Sequence, residues 1–501
     1  MAGKDFQVGA RVAAGVSCVV AAAALVAAAV IAVPGPTNAA TDATGGLLVT
    51  PQAIEQQRTC PGPLLLVGAA SGQDATTLTS VGSPALTMSP EATSQPLDDV
   101  DVVTSDSGAT STLVSAPPAA DGGVLAVAQA QVASEADLSG LAVVNCSESA
   151  AVTWLVGGAT DTGRTTLLVL TNSSEVDATA DVELYTGDGR VEALGLTDVT
   201  VPPLSQRVLS IAGFAPGAPS IVVKVESSGG LVAATLQQSI VRGLEPGGTE
   251  FIGATAEPAE TQVIPGVRIT TADAVAERAQ VGGSLDVATA LRVFVPGGED
   301  AEVMVGVVAD TSDVEGTTMS ETVPAGEVLD IPIEGLADGT YTVTIESSFP
   351  VVAAVRASTV APPDPNAPIS DLETSFEFVD EASDITIVAG QRIDLAWFVA
   401  AEPLDESVTF ATADAPSPRL TLTSPTGPDA EVTITAANGE TLSRTVSAGS
   451  TTSFDLASAT LYTITGAEGM VASTSYTADG QLAAFPVRAA NPLSGAITVY
   501  R

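Results

Sequence analysis

The sequence predicts an all-β protein of tandem antiparallel β-sandwich modules, immunoglobulin-like or fibronectin-like, after one N-terminal transmembrane or signal helix. Two observations predict this class. Apolar and polar residues alternate along runs rich in β-branched side chains. One pattern of such runs is also written three times, from Thr165 to Ser239, from Thr289 to Thr359 and from Arg419 to Tyr476.

Three sequence features recur in the same order in each copy. The first is an acidic residue and Ala at the start of a strand, the second is a short break followed by another strand, and the third is a strand, a turn and a strand. The third feature spans Ile221–Ala234 in copy one, Tyr341–Ala354 in copy two and Leu461–Ser473 in copy three. Equivalent positions recur about every 120 residues. This period fits a sandwich of roughly 100 residues with its connections, and it is too long for a solenoid repeat or a single propeller blade. The period disfavours a closed fold, such as a propeller assembled from these strands, but leaves it open as the alternative arrangement.

Local patterns support the strands. Tyr341, Val343 and Ile345 alternate with polar residues, which places them on the buried face of a strand. Residues 186–189 and 437–440 have hairpin-turn chemistry, because Gly and Asn tolerate positive φ. Helical periodicity after the N-terminus is confined to the short stretch 271–280, so we expect little helix in the remainder of the chain.

Charge and composition exclude several function classes. The 501-residue chain has a net charge of −42 and contains no His. A field this negative repels nucleic-acid phosphates, so we expect no nucleic-acid partner. Without His, a Ser-His-Asp triad and a His-ligated zinc site are excluded. We assign no catalytic, cofactor-binding or metal residue from the sequence, and we expect no cofactor and no enzymatic activity.

The N-terminus has the pattern of a membrane anchor. Residues 1–12 carry Lys4 and Arg11 and are predicted to be cytoplasmic. Residues 13–33 are uncharged and long enough to span a bilayer, and residues 34–45 form a tether. We expect a single-pass protein with its bulk outside the cytoplasm. The alternative is a secreted protein, cleaved as a signal peptide near Ala39.

Cys60 and Cys146 are the two cysteines that follow the apolar segment, and in an exported protein they predict a disulfide. Such a bond stabilises the fold by about 4 kcal/mol in the entropic account. With the repeats and a proline-rich stretch, it divides the exported chain into predicted segments: a disulfide-closed β module at 46–146, sandwich modules at 147–262 and 263–361, a linker at 362–370 and a sandwich module at 371–501.

Two further features have competing interpretations. Trp154 and Trp397 precede copies one and three about two periods apart, which favours buried core tryptophans; the alternative is a ligand platform for sugars. Asp98, Asp99 and Asp101, with Asp106 nearby, form the densest acidic cluster. Hard oxygen ligands at short spacing suit calcium, but the EF-hand pattern is absent and a solvated acidic loop is favoured.

Several motifs together resemble a known family. They are residues 60–63 (Cys-Pro-Gly-Pro), Cys146 followed by residues 154–158 (Trp-Leu-Val-Gly-Gly), and the ending at 492–500. The combination resembles an uncharacterised actinobacterial family of exported, membrane-anchored proteins known only as a domain of unknown function. The resemblance implies an envelope setting and no site residues.

These observations lead to three functional hypotheses. The first is a non-enzymatic cell-envelope scaffold or interaction protein, held in the membrane through residues 13–33 and partnered by another envelope protein. The alternative is a cell-wall glycan-binding protein, with polysaccharide as its ligand. The third is a carboxylate-dependent hydrolase, which needs two acids facing each other across a cleft.

Overall fold

The computed structural model describes residues 47–49, 55–68, 77–103, 108–118, 123–135, 137–311, 316–362, 378–380, 385–387, 390–490 and 497–499. The chain divides into two compact units, Met1–Ile54 with Pro492–Arg501, and Glu55–Asn491. In the first unit, β1 (Leu47–Val49) pairs antiparallel with β38 (Ile497–Val499). The described residues contain no helix that is long and apolar enough to cross a membrane. The predicted span at residues 13–33 lies outside the described residues.

The second unit confirms the predicted fold class, because it is built almost entirely of antiparallel sheets. Its described residues contain a single α-helix, α1 (Ala272–Ala279), inside the stretch 271–280 that showed helical character. Two short 3-10 turns, at Ile211–Gly213 and Leu285–Val287, complete the helical content of this part of the chain.

Each of the three repeat copies contributes four strands to an inner sheet, in the spatial order second, first, third, fourth. In copy one the strands are β17 (Ser205–Ser210), β13 (Arg164–Asn172), β19 (Ala233–Arg242) and β20 (Glu245–Ile252). In copy two they are β25 (Val328–Pro332), β22 (Ala290–Phe294), β26 (Gly339–Ala361) and β29 (Arg392–Val399). In copy three they are β34 (Thr451–Asp455), β31 (Arg419–Thr423), β36 (Val471–Ala478) and β37 (Gln481–Val487).

An outer sheet faces each inner sheet across a hydrophobic core, and its strands again follow one order. Copy one has β12 (Val152–Val156), β18 (Ile221–Ser228), β14 (Ala178–Thr186) and β15 (Gly189–Arg190), with β16 (Val199–Val201) also on β14. Copy two has β21 (Ala259–Ile269), β26, β23 (Ala301–Ala309) and β24 (Thr317–Val323). Copy three has β30 (Ser407–Ala411), β35 (Leu461–Thr465), β32 (Ala430–Ala436) and β33 (Thr441–Val446).

The N-terminal module has smaller sheets. Its inner sheet is β5 (Ala85–Met88), β10 (Val127–Glu135) and β11 (Leu138–Asn145). Two further sheets are β2 (Gln56–Cys60), β9 (Thr112–Ala116) and β6 (Thr93–Pro96), and β3 (Leu64–Val67), β4 (Leu78–Val81) and β8 (Val102–Val103). Two short elements lie outside these sheets: β7 (Asp98–Asp99), which pairs parallel to β17, and the hairpin of β27 (Phe378–Asp380) and β28 (Ile385–Ile387).

The local predictions agree with this architecture. Tyr341, Val343 and Ile345 are fully buried on β26. The hairpin turns at 186–189 and 437–440 connect β14 to β15 and β32 to β33, with Gly189 and Gly439 at positive φ. Side-chain period and turn chemistry are local properties of the chain, so sequence alone was sufficient to predict them.

Copy two differs from the expected strand, turn and strand. β26 runs without a break for 23 residues, and its first half belongs to the outer sheet whereas its second half belongs to the inner sheet. Copies one and three break at this point near Gly229 and Gly469, but copy two has Phe349 and Pro350 there. The last inner strand of copy two, β29, also follows the predicted linker, so its sheet is completed from beyond residues 362–370.

The four inner sheets meet at a common axis. On the side facing this axis each sheet ends in its last strand, namely β11, β20, β29 or β37. The four strands pack side by side in that order, and β37 closes the ring against β11. The modules therefore form a closed ring of sandwiches rather than independent units along a tether.

The cores are continuous around the ring. Phe294 of copy two lies in the core of copy one, and Leu482 of copy three lies in the core of copy two. Tyr476 of copy three packs with Leu141 of the N-terminal module. Phe251 of copy one closes the remaining junction by packing against that module. Burial of apolar surface at every junction stabilises the closed arrangement.

Candidate functional site

The predicted disulfide is present and joins the N-terminal module to the axis. Cys60 ends β2 and Cys146 follows β11, at a sequence separation of 86. Beside the bond, the Thr59 N–H donates to the Ser147 carbonyl at 2.8 Å and the Ser147 N–H donates back at 3.0 Å. The bond therefore holds the segment after β11 in a defined position.

The axis is organised by the buried carboxylate of Asp394 on β29. Its oxygens accept the backbone N–H groups of Leu141 at 2.8 Å, Leu482 at 3.1 Å, Thr249 at 3.2 Å and Leu395 at 3.0 Å. These donors belong to all four axial strands. A single side chain thus satisfies backbone donors that face one another without forming a sheet.

Glycines make room for this carboxylate. A Cβ at Gly140 would clash with Asp394 Oδ1, and a Cβ at Gly248 would lie 2.9 Å from the same atom. Both glycines also have positive φ. Burial raises the pKa of Asp394 well above its ordinary value, although the four N–H groups favour the charged form.

A second buried acid, Glu250 on β20, lies near Asp394. Within the described part of the chain, neither carboxyl oxygen of Glu250 accepts a hydrogen bond of standard length and angle. Burial raises the pKa of Glu250 well above its ordinary value, and the charge of Asp394 adds to the shift. Both acids are inaccessible to solvent, so a polymeric substrate cannot reach this pair of carboxyl groups.

Away from the axis, Arg292 on β22 joins copies one and two. Its guanidinium makes twin bonds to Asp330, at 2.7 and 2.9 Å, and donates to the carbonyls of Gly158 at 2.6 Å and Pro219 at 3.0 Å. Burial raises the pKa of Asp330, but the charge and hydrogen bonds of Arg292 outweigh this and hold the pKa below its ordinary value. The guanidinium also lies 4.6 Å from the centre of the Trp397 ring.

Both tryptophans are buried. Trp397 is 2% exposed, and its Nε1–H donates to Gln238 Oε1 at 2.6 Å. Trp154 is 7% exposed and packs against Phe294, with ring centres 6.0 Å apart. The core interpretation describes both environments, and Trp397 has no face available as a sugar platform. Trp154, unlike Trp397, also borders the cavity at the end of the axis.

The acidic stretch at 98–101 is used in local bonds. Ser111 Oγ donates to Asp99 at 2.5 Å, and Asp101 accepts both the Arg207 Nε–H at 2.7 Å and the Val208 N–H at 3.0 Å. Asp106 lies outside the described residues. Among the residues that the structure describes, no three His, Cys, Asp or Glu side chains are grouped as metal ligands would be.

A cavity of about 540 Å³ opens where β11, β20 and β37 end. Two ion pairs lie in its wall: Arg58 Nη1 to Glu148 Oε1 at 2.6 Å, and Arg488 Nη1 to Glu402 Oε1 at 3.1 Å. Trp154 contributes to the same wall. The cavity is thus an accessible site at one end of the axis of the ring.

The comparisons with known proteins identify the family. The model of a family of unknown function, DUF5719, matches residues 102–457, which is more than half of the chain. The chain belongs to this family. The predicted resemblance to a domain of unknown function is therefore confirmed. No curated protein matches the chain.

Two solved structures are similar to the DUF5719 chain at low sequence identity. One is described as the crystal structure of Thermotoga maritima 1070; it is 16% identical, covers 20% of this chain and 80% of its own, and has a TM-score of 0.17. The other is described as the BSP domain of a biofilm-associated protein; it is 9% identical, covers 92% and 100%, and has a TM-score of 0.12. Because both TM-scores are below 0.5, neither likeness carries an argument about function.

The region that matches the DUF5719 model includes the acids of the axis, Asp394 and Glu250. It also includes Trp154, Glu148 and Glu402 of the cavity wall, whereas Arg58 and Arg488 lie outside it. Sequence reasoning missed the four residues that form the two ion pairs of the cavity wall. They come from separate parts of the chain and share no motif. The scarcity of basic residues, 17 Lys and Arg in 501 residues, is the one signal that draws attention to each arginine.

Proposed function

We propose that this DUF5719 protein is a non-enzymatic interaction protein of the cell envelope that binds an extended segment of another envelope protein. We place it at the membrane through residues 13–33, with the ring outside the cytoplasm. The Cys60–Cys146 disulfide supports an oxidising compartment. The alternative, secretion after signal-peptide cleavage, leaves the interaction unchanged.

The observation that carries the proposal is the edge strand β33. It pairs on one side with β32, and no described strand pairs with its other side. Five of its six residues, Thr441 to Thr445, are exposed. An exposed edge offers a row of backbone donors and acceptors to an incoming strand, which is a common mode of peptide recognition.

The closed ring suits this role because it presents the edge from a rigid support. β33 is continuous with β32 through the turn at Asn438, whose side chain accepts the Glu440 N–H at 3.0 Å. Beneath it, Val432 and Ile434 of β32 are fully buried in the core of copy three. A preformed edge lowers the entropy lost on binding.

The hydrolase hypothesis finds less support. The acids Glu250 and Asp394 are buried inside the axis, and two of the three cavity acids, Glu148 and Glu402, are each paired with an arginine. A general acid and a nucleophile must face the scissile bond in an accessible cleft. We therefore favour binding over hydrolysis for this protein.

Site-specific photo-crosslinking in the producing cells tests the proposal. A photoreactive amino acid at Ser443 samples the edge, and the same group at Leu194, which is 99% exposed in a loop, is the matched control. We expect a discrete protein adduct from position 443 and none from position 194. Ser443→Pro, assayed with the crosslinker at Thr441, is expected to abolish the adduct, since proline removes a backbone donor. No adduct at position 443, or the same adduct at both positions, would contradict the proposal.

A further inference from the structure

The cavity at the end of the axis has the dimensions and composition of a small-molecule site. Its volume of about 540 Å³ lies within the range of roughly 300–1,000 Å³ that ligand sites occupy. Its walls come from the ends of three axial strands and from the segment after Cys146 that the disulfide holds. The ring closure and the disulfide therefore preform this cavity.

The polar part of the wall presents donors and acceptors side by side. Arg58 and Arg488 each hold a glutamate, and each guanidinium is oriented by a backbone carbonyl: Gln57 at 2.9 Å for Arg58 and Ala254 at 2.7 Å for Arg488. A planar guanidinium beside a carboxylate offers fixed N–H donors next to oxygen acceptors. Neighbouring hydroxyl groups, which both donate and accept, match such a pair.

The apolar part of the wall contains aromatic rings. Trp154, Phe410 and Phe485 all line the cavity. The Trp154 ring is positioned by its neighbours: the centre of the Phe294 ring lies 6.0 Å from its centre, and the Lys224 ammonium lies 5.6 Å from its centre. Aromatic rings with polar groups close by suit a ligand that has an apolar ring face and a polar rim.

The charge of the wall selects against ionic ligands. Three glutamates, Glu148, Glu257 and Glu402, accompany the two arginines, so the wall has a small negative excess within a protein of net charge −42. An anionic ligand would be repelled by this field. A cationic ligand would be repelled by the two arginines, which already occupy the positions beside Glu148 and Glu402.

From these features we propose that the cavity binds a neutral saccharide, with Trp154 against a sugar ring and the Arg488–Glu402 and Arg58–Glu148 pairs bonding to its hydroxyl groups. This activity goes beyond strand binding at β33 and does not depend on it. It also revises the platform hypothesis for the tryptophans, because the wall of this cavity includes Trp154 and does not include Trp397.

Saturation-transfer NMR and calorimetry on the full chain test the proposal. The probes are the neutral disaccharides cellobiose, maltose and N,N′-diacetylchitobiose, with glucuronic acid and spermidine as the anionic and cationic comparisons. We expect binding of at least one neutral disaccharide and none of the charged probes. Bound sugar is also expected to change the fluorescence of Trp154. Absence of neutral-sugar binding, or binding of a charged probe alone, would overturn the proposal.

Two variants and a matched control place the site. Arg488→Ala is expected to weaken the affinity at least about tenfold, because hydrogen bonds from a charged group are lost. Arg419→Ala removes a more exposed arginine paired to Asp455 at 2.8 Å away from the cavity, and its affinity is expected to stay within about twofold. Leu231→Arg changes a wall residue that is 50% exposed, so it blocks the cavity without disturbing the core. Unchanged affinity in Arg488→Ala and Leu231→Arg would exclude this site.

Discussion

The Asp394 carboxylate accepts the backbone N–H of Leu141 at 2.8 Å, although 253 residues separate the two in sequence. The same carboxylate accepts N–H groups from the other axial strands, including those of Thr249 and Leu482. One residue thus joins four modules that lie far apart along the chain. We therefore expect mutation at the axis to have a large structural effect.

Asp394→Ala is expected to lower the free energy of unfolding by at least about 3 kcal/mol, because buried N–H groups lose their acceptor. Asp394→Asn keeps one carbonyl oxygen, and we expect a smaller loss. Urea unfolding followed by tryptophan fluorescence measures both values. Asp455→Ala, at an exposed surface pair, is the control and should change the stability by less than about 1 kcal/mol. Equal stabilities of Asp394→Ala and the wild type would show that the axis does not depend on this carboxylate.

Glu250 is expected to make stability fall as pH rises. Its pKa is raised by burial and then by Asp394, so the native state binds a proton more tightly than the unfolded state. The free energy of unfolding therefore decreases as the pH rises from the ordinary carboxyl pKa to the raised pKa of Glu250. Glu250→Gln should flatten this part of the profile and stabilise the protein at pH 7 by about 1–3 kcal/mol.

The pH profile is measured by unfolding between pH 4 and pH 8. Glu468→Gln, at an exposed position, is the matched control and should leave the profile unchanged. A Glu250→Gln protein with the same pH slope as the wild type would show that Glu250 is not the group responsible.

Arg292→Ala is expected to destabilise the junction of copies one and two by about 3–5 kcal/mol, because the partly exposed Asp330 loses its ion partner and the carbonyls of Gly158 and Pro219 lose their donor. Arg190 pairs with Glu183 at 3.1 Å, but its side chain is 52% exposed. Arg190→Ala should therefore cost less than about 1 kcal/mol. Differential scanning calorimetry of the two variants measures the contrast, and equal losses would contradict the assigned role of Arg292.

Removal of the disulfide in the double variant Cys60→Ser, Cys146→Ser is expected to lower the free energy of unfolding by about 4 kcal/mol, because the bond closes a loop between residues 86 positions apart. The reducing agent dithiothreitol should produce the same loss in the wild type and none in the double variant. Thermal unfolding with and without the reductant gives the comparison. A wild-type transition unaffected by full reduction would show that the bond adds nothing to stability.

Much of the fold was predictable because its determinants are local. Alternation at Tyr341, Val343 and Ile345 predicts a strand with one buried face, and the turn at Asn438 and Gly439 predicts a hairpin. The repeated pattern predicts modules of one kind. The candidate site was less predictable, since Arg58, Glu148, Glu402 and Arg488 share no motif or spacing.

By itself, the sequence determined the fold class, the repeated module, the pairing of Cys60 with Cys146 and the family. These follow from side-chain period, turn chemistry, cysteine count and motif order, all of which are read along the chain. Only the tertiary structure decided that the modules close into a ring, that Asp394 binds all four axial strands and that a cavity opens where those strands end. These features depend on edges of separate sheets meeting in space, and burial and hydrogen bonding between distant residues leave no periodic trace in the sequence.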